Sequence, residues 1–180
     1  MSEPREHRSL LALAALVRAQ GGVMASLLAP DVCADDQPGP AQAVAAGPRA
    51  RRAPGEYELL VEAIYEGYLL HYGTPRVIAS PEADLCLLAG DRLYALGLAR
   101  LVALEDTVAV AELADTITLS ALAHSCDEPE LARVVWGAGA RAVGWGPSAN
   151  HRRAKQLVFD GAPNAIEAMR TSARGVLAPH

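Results

Sequence analysis

Residues 85–101 read LCLLAGDRLYALGLARL, and this stretch decides the fold. Leu and Ala, which give up little conformational freedom in a helix, fill most of it. No alternation of period two runs through it, so it does not read as a half-buried strand. A start signal precedes it: Ser80 as N-cap, Pro81 as first helical residue, and Glu82 and Asp84 against the positive end of the dipole. The pattern predicts a helix running to about Leu104. Apolar residues sit on nearly every side, which calls for cover both from the chain's own core and from a partner. Gly90 and Gly97 share one face, where a neighbouring helix can approach closely. Asp91, buried in such a helix, would need a hydrogen-bonding partner.

The neighbouring segments repeat the helical message. Residues 56–72 carry Glu58, Glu62 and Glu66 at i, i+4 and i+8, with Val61, Ile64, Tyr65, Tyr68 and Leu69 around the rest. Such a carboxylate stripe can chelate metal, but on a helix it is more often a solvated face, and that is the expectation here. Gly73 ends the helix and Pro75 follows. Asp106 caps the next helix, which ends near Ser125; Asp127, Glu128 and Pro129 start another. Two shorter, more polar helices follow, with Gly161 and Pro163 as punctuation. Upstream, residues 8–29 read as a helix weakened at Gly21-Gly22 and stopped by Pro30. No βαβ rhythm occurs, and the predicted class is all-α, a helical bundle.

The predicted organisation is an N-terminal docking helix (1–30), a flexible linker (31–55) and a helical domain (56–180). The linker assignment rests on four prolines and a lack of hydrophobic periodicity, with a basic cluster at Arg49, Arg51 and Arg52; the pair Asp35-Asp36 inside it reads as solvated. The apolar run LLALAALV is too short to span a membrane. It also makes a poor secretory signal, because Glu3 and Glu6 dilute its positive start.

Composition removes several function classes. The net charge of −5 leaves no basic footprint for nucleic acid. Cys33, Cys86 and Cys126 are scattered without metal-ligand spacing, so a reducing cytoplasm is expected. The glycine-rich run 137–146 keeps helical periodicity and follows no strand, which reads as close packing rather than a phosphate loop. His71 and His124 lie at the ends of separate helices, and Ser125 and Cys126 beside His124 form no triad in sequence.

Residues 85–101 resemble the helix of trans-polyprenyl diphosphate synthases that carries a Leu-Leu-Ala-Gly-Asp stretch. VEAIYEGYLLHYGTPRV (61–77) is similar to that family's preceding helix, which leads into its first aspartate-rich motif. LEDTVAVAELADTITLSALAH (104–124) is similar to the helix that follows. The resemblance covers residues 56–125, under half of the chain. In the family, two Asp-Asp-x-x-Asp motifs hold Mg²⁺ on the allylic diphosphate, because hard oxygen ligands are needed to neutralise it. This sequence has His71-Tyr72-Gly73 where His-Asp-Asp would stand, no paired aspartates after Ser125, and only a loose echo of the basic diphosphate grip in GPRARR (47–52).

The resemblance therefore implies a degenerate member: an accessory or regulatory subunit in isoprenoid (quinone side-chain) biosynthesis, with no catalytic residue, metal site or cofactor of its own. The family's Gly-Asp helix lies at a dimer interface, which implies interface residues Leu85, Leu88, Gly90, Asp91, Tyr94, Gly97, Leu98 and Leu101, with Asp91 a buried structural acid. Expected partners are a second copy or a full-length prenyl synthase, and an isoprenoid lipid, with membrane association only through that partner. Two alternatives stand beside this. One is a helical interaction subunit of a larger assembly without lipid chemistry. The other, ranked last, is a residual enzyme drawing metal ligands from Glu62, Glu66 and Asp91 or from a partner chain.

Overall fold

A computed structural model describes residues 5–32, 38–79 and 82–174. The described residues form nine α-helices: α1 Arg5–Gln20, α2 Gly22–Ser26, α3 Pro40–Ala45, α4 Pro54–Tyr72, α5 Ala83–Ala103, α6 Thr107–Ser125, α7 Pro129–Trp145, α8 Ala149–Phe159 and α9 Ala165–Arg174. A 3₁₀ turn, Pro48–Arg52, joins α3 to α4. Their only extended pairing is an isolated bridge between Leu28 and Ile78. The class is all-α, and no helix among the described residues is long and apolar enough to cross a membrane.

Local chemistry sets the boundaries. Asp106 caps α6 by accepting from the Ala109 amide at 3.0 Å, and Ser148 caps α8 by accepting from the His151 amide at 3.1 Å. Pro54 and Pro129 open α4 and α7, where a missing N–H costs nothing. Gly21 and Gly22, with φ of 68° and 64°, break the N-terminal helix into α1 and α2. The expected capping pair Ser80-Pro81 lies outside the described residues, as do Cys33 and Asp35-Asp36.

The helix α4 is the hub. Its buried side chains reach α1, α3, α5 and, through Tyr65 and Tyr68 on Trp136, α7. The pairing of α4 with α5 is the most extensive in the fold. Glycines make it possible: a Cβ at Gly67 would sit 2.9 Å from the Gly90 carbonyl, and one at Gly97 would sit 2.9 Å from the Leu60 carbonyl. Leu93 and Leu101 are fully buried beside them, each contributing about 1.5–3 kcal/mol.

Two expectations change here. The segment 31–55 is not a linker over its described C-terminal part. From Pro40 to Arg52 it is helical, and Ala41, Val44 and Ala50 lie in the same core as Ile64, Trp136 and Val143. Small side chains are enough at this position because the segment packs directly on α4 and α7. The assignment of α5 as an interface also changes in part: Gly90, Gly97 and Leu101 are buried within the chain, Gly90 and Gly97 directly against α4, and Tyr94 packs against Gly67 and His71 of α4.

Candidate functional site

Three carboxylates on α4 form the stripe that the sequence suggests is a solvated face. They are not solvated. Glu58, Glu62 and Glu66 are buried, the last two completely. Each turn of α4 brings the next one under α1, α3 and the connection 73–79, so their shared face becomes the inside of the molecule. Glu62 accepts hydrogen bonds from the Ser9 hydroxyl at 3.1 Å and the Gln42 amide at 3.3 Å, and forms an ion pair with the Arg76 guanidinium. The same Gln42 amide reaches Glu58 at 3.4 Å. Glu66 Oε1 accepts three successive backbone amides, from Arg76, Val77 and Ile78, at 2.8, 2.7 and 3.0 Å. Its Oε2 lies 3.5 Å from Arg76 Nε, within ion-pair reach though not aligned as a hydrogen bond.

This array ties the N-terminal helices to the centre of the fold. Burial pushes the Glu62 carboxyl above its ordinary range, only partly offset by Arg76, Gln42 and Ser9. Burial alone would lower Arg76, but the two carboxylates raise it, so the guanidinium stays charged. The connection that carries Arg76 also pairs with the N-terminal strap: Ala29 donates to the Val77 carbonyl at 2.9 Å and Ala79 to the Leu27 carbonyl at 2.8 Å.

The residues His71-Tyr72-Gly73, read from the sequence as a degenerate motif position, lie at the end of α4. The structure gives them aromatic partners. Tyr72 stacks flat on His124 of α6, with centroids 4.3 Å apart and 2° between planes, and His71 stacks on Tyr94 of α5 at 5.3 Å. The Tyr68 hydroxyl lies 2.9 Å from His124 Nε2, and burial pushes its own ionisation up to about 12. Gly73 ends the helix, as the sequence indicated. Among the described residues no group of three His, Cys, Asp or Glu is placed to hold a metal ion.

The expected buried acid is also elsewhere. Asp91 is 69% exposed, with Oδ1 3.3 Å from His71 Nε2. It follows Gly90 by one residue, about 100° around the helix, and that step takes it off the α4 face. Leu88 is 65% exposed and Val102 57%. Leu85 and Leu98 are half-buried, with Leu98 packed against the core. The outward stripe of α5 therefore runs Leu88, Arg92, Ala95, Ala99, Val102, spaced four and three residues in alternation and exposed throughout.

The basic echo GPRARR is mostly committed or solvated. Arg49 donates to Asp106 at 2.6 Å and to the Val143 carbonyl at 3.0 Å, while Arg51 and Arg52 are exposed. The Tyr57 hydroxyl completes that site, donating to Asp106 at 2.6 Å. Sequence reasoning missed Arg76, Gln42 and Ser9. The one available signal was a lone arginine in an apolar connection following a helix with three stacked acids.

No protein-family model, curated protein or solved structure matches the chain.

Proposed function

We propose that this chain is a subunit without prenyl-transfer activity, similar in layout to polyprenyl diphosphate synthases, that acts by docking a helical partner of that class in isoprenoid biosynthesis. The observation that carries the reading is the fate of the α4 carboxylates. On the helix that resembles the diphosphate-binding one, Glu62 and Glu66 are turned inward and their oxygens are engaged by Arg76, Ser9, Gln42 and three backbone amides. Carboxylates engaged in this way are poor ligands for Mg²⁺, which needs several hard oxygens converging on one point. The docking part rests on the outer stripe of α5, where Leu88 and Val102 flank two alanines that permit close approach of another helix.

The test is a reconstitution. Purified chain is incubated with Mg²⁺, isopentenyl diphosphate and an allylic diphosphate, alone and with a full-length prenyl synthase. Expected are no pyrophosphate release by the chain alone and an altered rate or product length when it is added to the synthase. Mg²⁺-dependent turnover by the chain alone contradicts the first half, and an unaltered synthase contradicts the second.

A further inference from the structure

A second buried polar cluster lies away from α4, between α6, α8 and α9. Glu112 on α6, His151 on α8 and Ser172 on α9 are all buried. Ser172 Oγ is 2.7 Å from His151 Nδ1, and His151 Nε2 is 3.0 Å from Glu112 Oε2. Lys155 Nζ donates to both Glu112 oxygens, at 3.0 and 2.9 Å, and to Asp115 Oδ2 at 2.6 Å. Proton positions follow from the partners. A carboxylate only accepts, so Nε2 carries the imidazole hydrogen, and Nδ1 is left to accept the serine proton. Burial pushes the Glu112 carboxyl up, but the hydrogen bonds from His151 and Lys155 outweigh it and hold the group below its usual range. Glu112 thus stays ionised and fixes the imidazole.

The arrangement is a hydroxyl, a base and an orienting carboxylate in series, the relation that activates a serine nucleophile whatever the fold around it. It also has somewhere to act. A cavity of about 300 Å³ is lined by His151 and Ser172 together with Arg141, Trp145, Ser148 and Asn150. Its wall includes Ser148, Asn150 and His151 at the N-terminal turn of α8; the His151 amide is held by the Ser148 cap, which leaves the Ala149 and Asn150 amides without a partner inside the helix to serve a developing oxyanion. Arg141, lying over the Trp145 ring at 4.7 Å, supplies a cation beside it.

The geometry points to an acyl-transfer site in which Ser172 is the nucleophile, His151 its general base and Glu112 the positioning residue, acting on a short activated ester or thioester that carries a negative charge. Ser172 Oγ bonds to the acyl carbon as its proton passes to His151 Nδ1. The tetrahedral adduct expels the alkoxide or thiolate, which takes that proton. Water then repeats the sequence on the acyl-serine, releasing the acid and restoring the hydroxyl. Activated acyl groups are favoured because Lys155 shares the Glu112 charge, which limits how strongly the imidazole can be supported as a base.

The experiment uses the full chain and an alkyl fluorophosphonate, a probe that esterifies activated serines. Expected is one adduct by intact mass, mapped by peptide sequencing to Ser172. The labelling rate should fall about 10²–10⁴-fold in His151→Gln, the range a general base contributes. Ser172→Ala, a small change near the end of a helix, should abolish labelling while keeping the wild-type circular dichroism and melting curve. The same pattern should appear in p-nitrophenyl acetate turnover. An unlabelled wild type, or an adduct that maps elsewhere and survives Ser172→Ala, overturns the assignment; the wild-type map decides this even if a variant fails to fold.

Discussion

Replacing Glu66 by alanine removes the acceptor for three consecutive amides and one of the two described carboxylates, Glu62 and Glu66, that face the buried Arg76 guanidinium. The same 73–79 connection is paired with residues 27–29, so loss of the carboxylate bears on that pairing too. Breaking a buried ion pair by removing one partner costs about 3–5 kcal/mol, and the orphaned amides push towards the upper end. For a chain of this size that is a drop of about 6–20 °C in Tm, at roughly 2–4 °C per kcal/mol. Glu66→Gln should fall between wild type and alanine, because its carbonyl oxygen can still accept the three amides while its charge is gone. Urea unfolding followed by circular dichroism reads the difference as a shift in midpoint at constant slope. If Glu66→Ala lies within about 1 kcal/mol of wild type, the carboxylate is not the tie between the connection and the core, and the reasoning fails.

Gly97→Leu should destabilise the single chain by about 1–3 kcal/mol through overpacking against Leu60 and Ile64, with its native mass in solution unchanged. A mutant that loses mass but keeps its melting temperature would place Gly97 at an intermolecular contact instead. Spectrophotometric titration should find Tyr57 and Tyr68 still protonated at pH 11, since burial, reinforced at Tyr57 by Asp106, pushes both to about 12. Their folded values exceed the unfolded one, so this stabilisation is complete below about pH 10 and is lost as pH rises through about 12. Ionisation of all five tyrosines together near pH 10 would contradict it. Limited proteolysis should spare bonds between residues 40 and 54, where Ala41, Val44 and Ala50 are in the core; early cleavage there would restore a mobile linker.

The helices after residue 55 were legible largely through start and stop chemistry in the sequence, such as Asp106 and Pro129 at beginnings and Gly73 and Gly161 at ends; the Ser148 cap and the opening Pro54 are seen in the structure. Segment 40–52 was misread because prolines and alanines give no apolar period, yet alanine is the right size for a helix lying directly on two others. The Glu58–Glu62–Glu66 stripe was misread for a related reason. Its neutralising partners come from Ser9, Gln42 and Arg76, in three other segments, and helical spacing carries no record of them. The same holds for Glu112, His151 and Ser172, which lie on three helices and meet only after α8 and α9 fold back across α6 and α7. Asp91 was placed on the wrong side by a single residue, because an apolar count cannot say which face of a helix meets its neighbour.

We propose that the chain works by docking through the outer stripe of α5. The direct measurement is affinity capture from the native host with the tagged wild type and with the double variant Leu88→Glu, Val102→Glu, followed by mass spectrometry of what is retained. Both side chains are exposed, at 65% and 57%, so the variant should fold as the wild type does. A prenyl synthase should be retained by the wild type and lost with the variant. Retention of the same partner by both proteins, or capture of an unrelated assembly in place of a prenyl synthase, would contradict it.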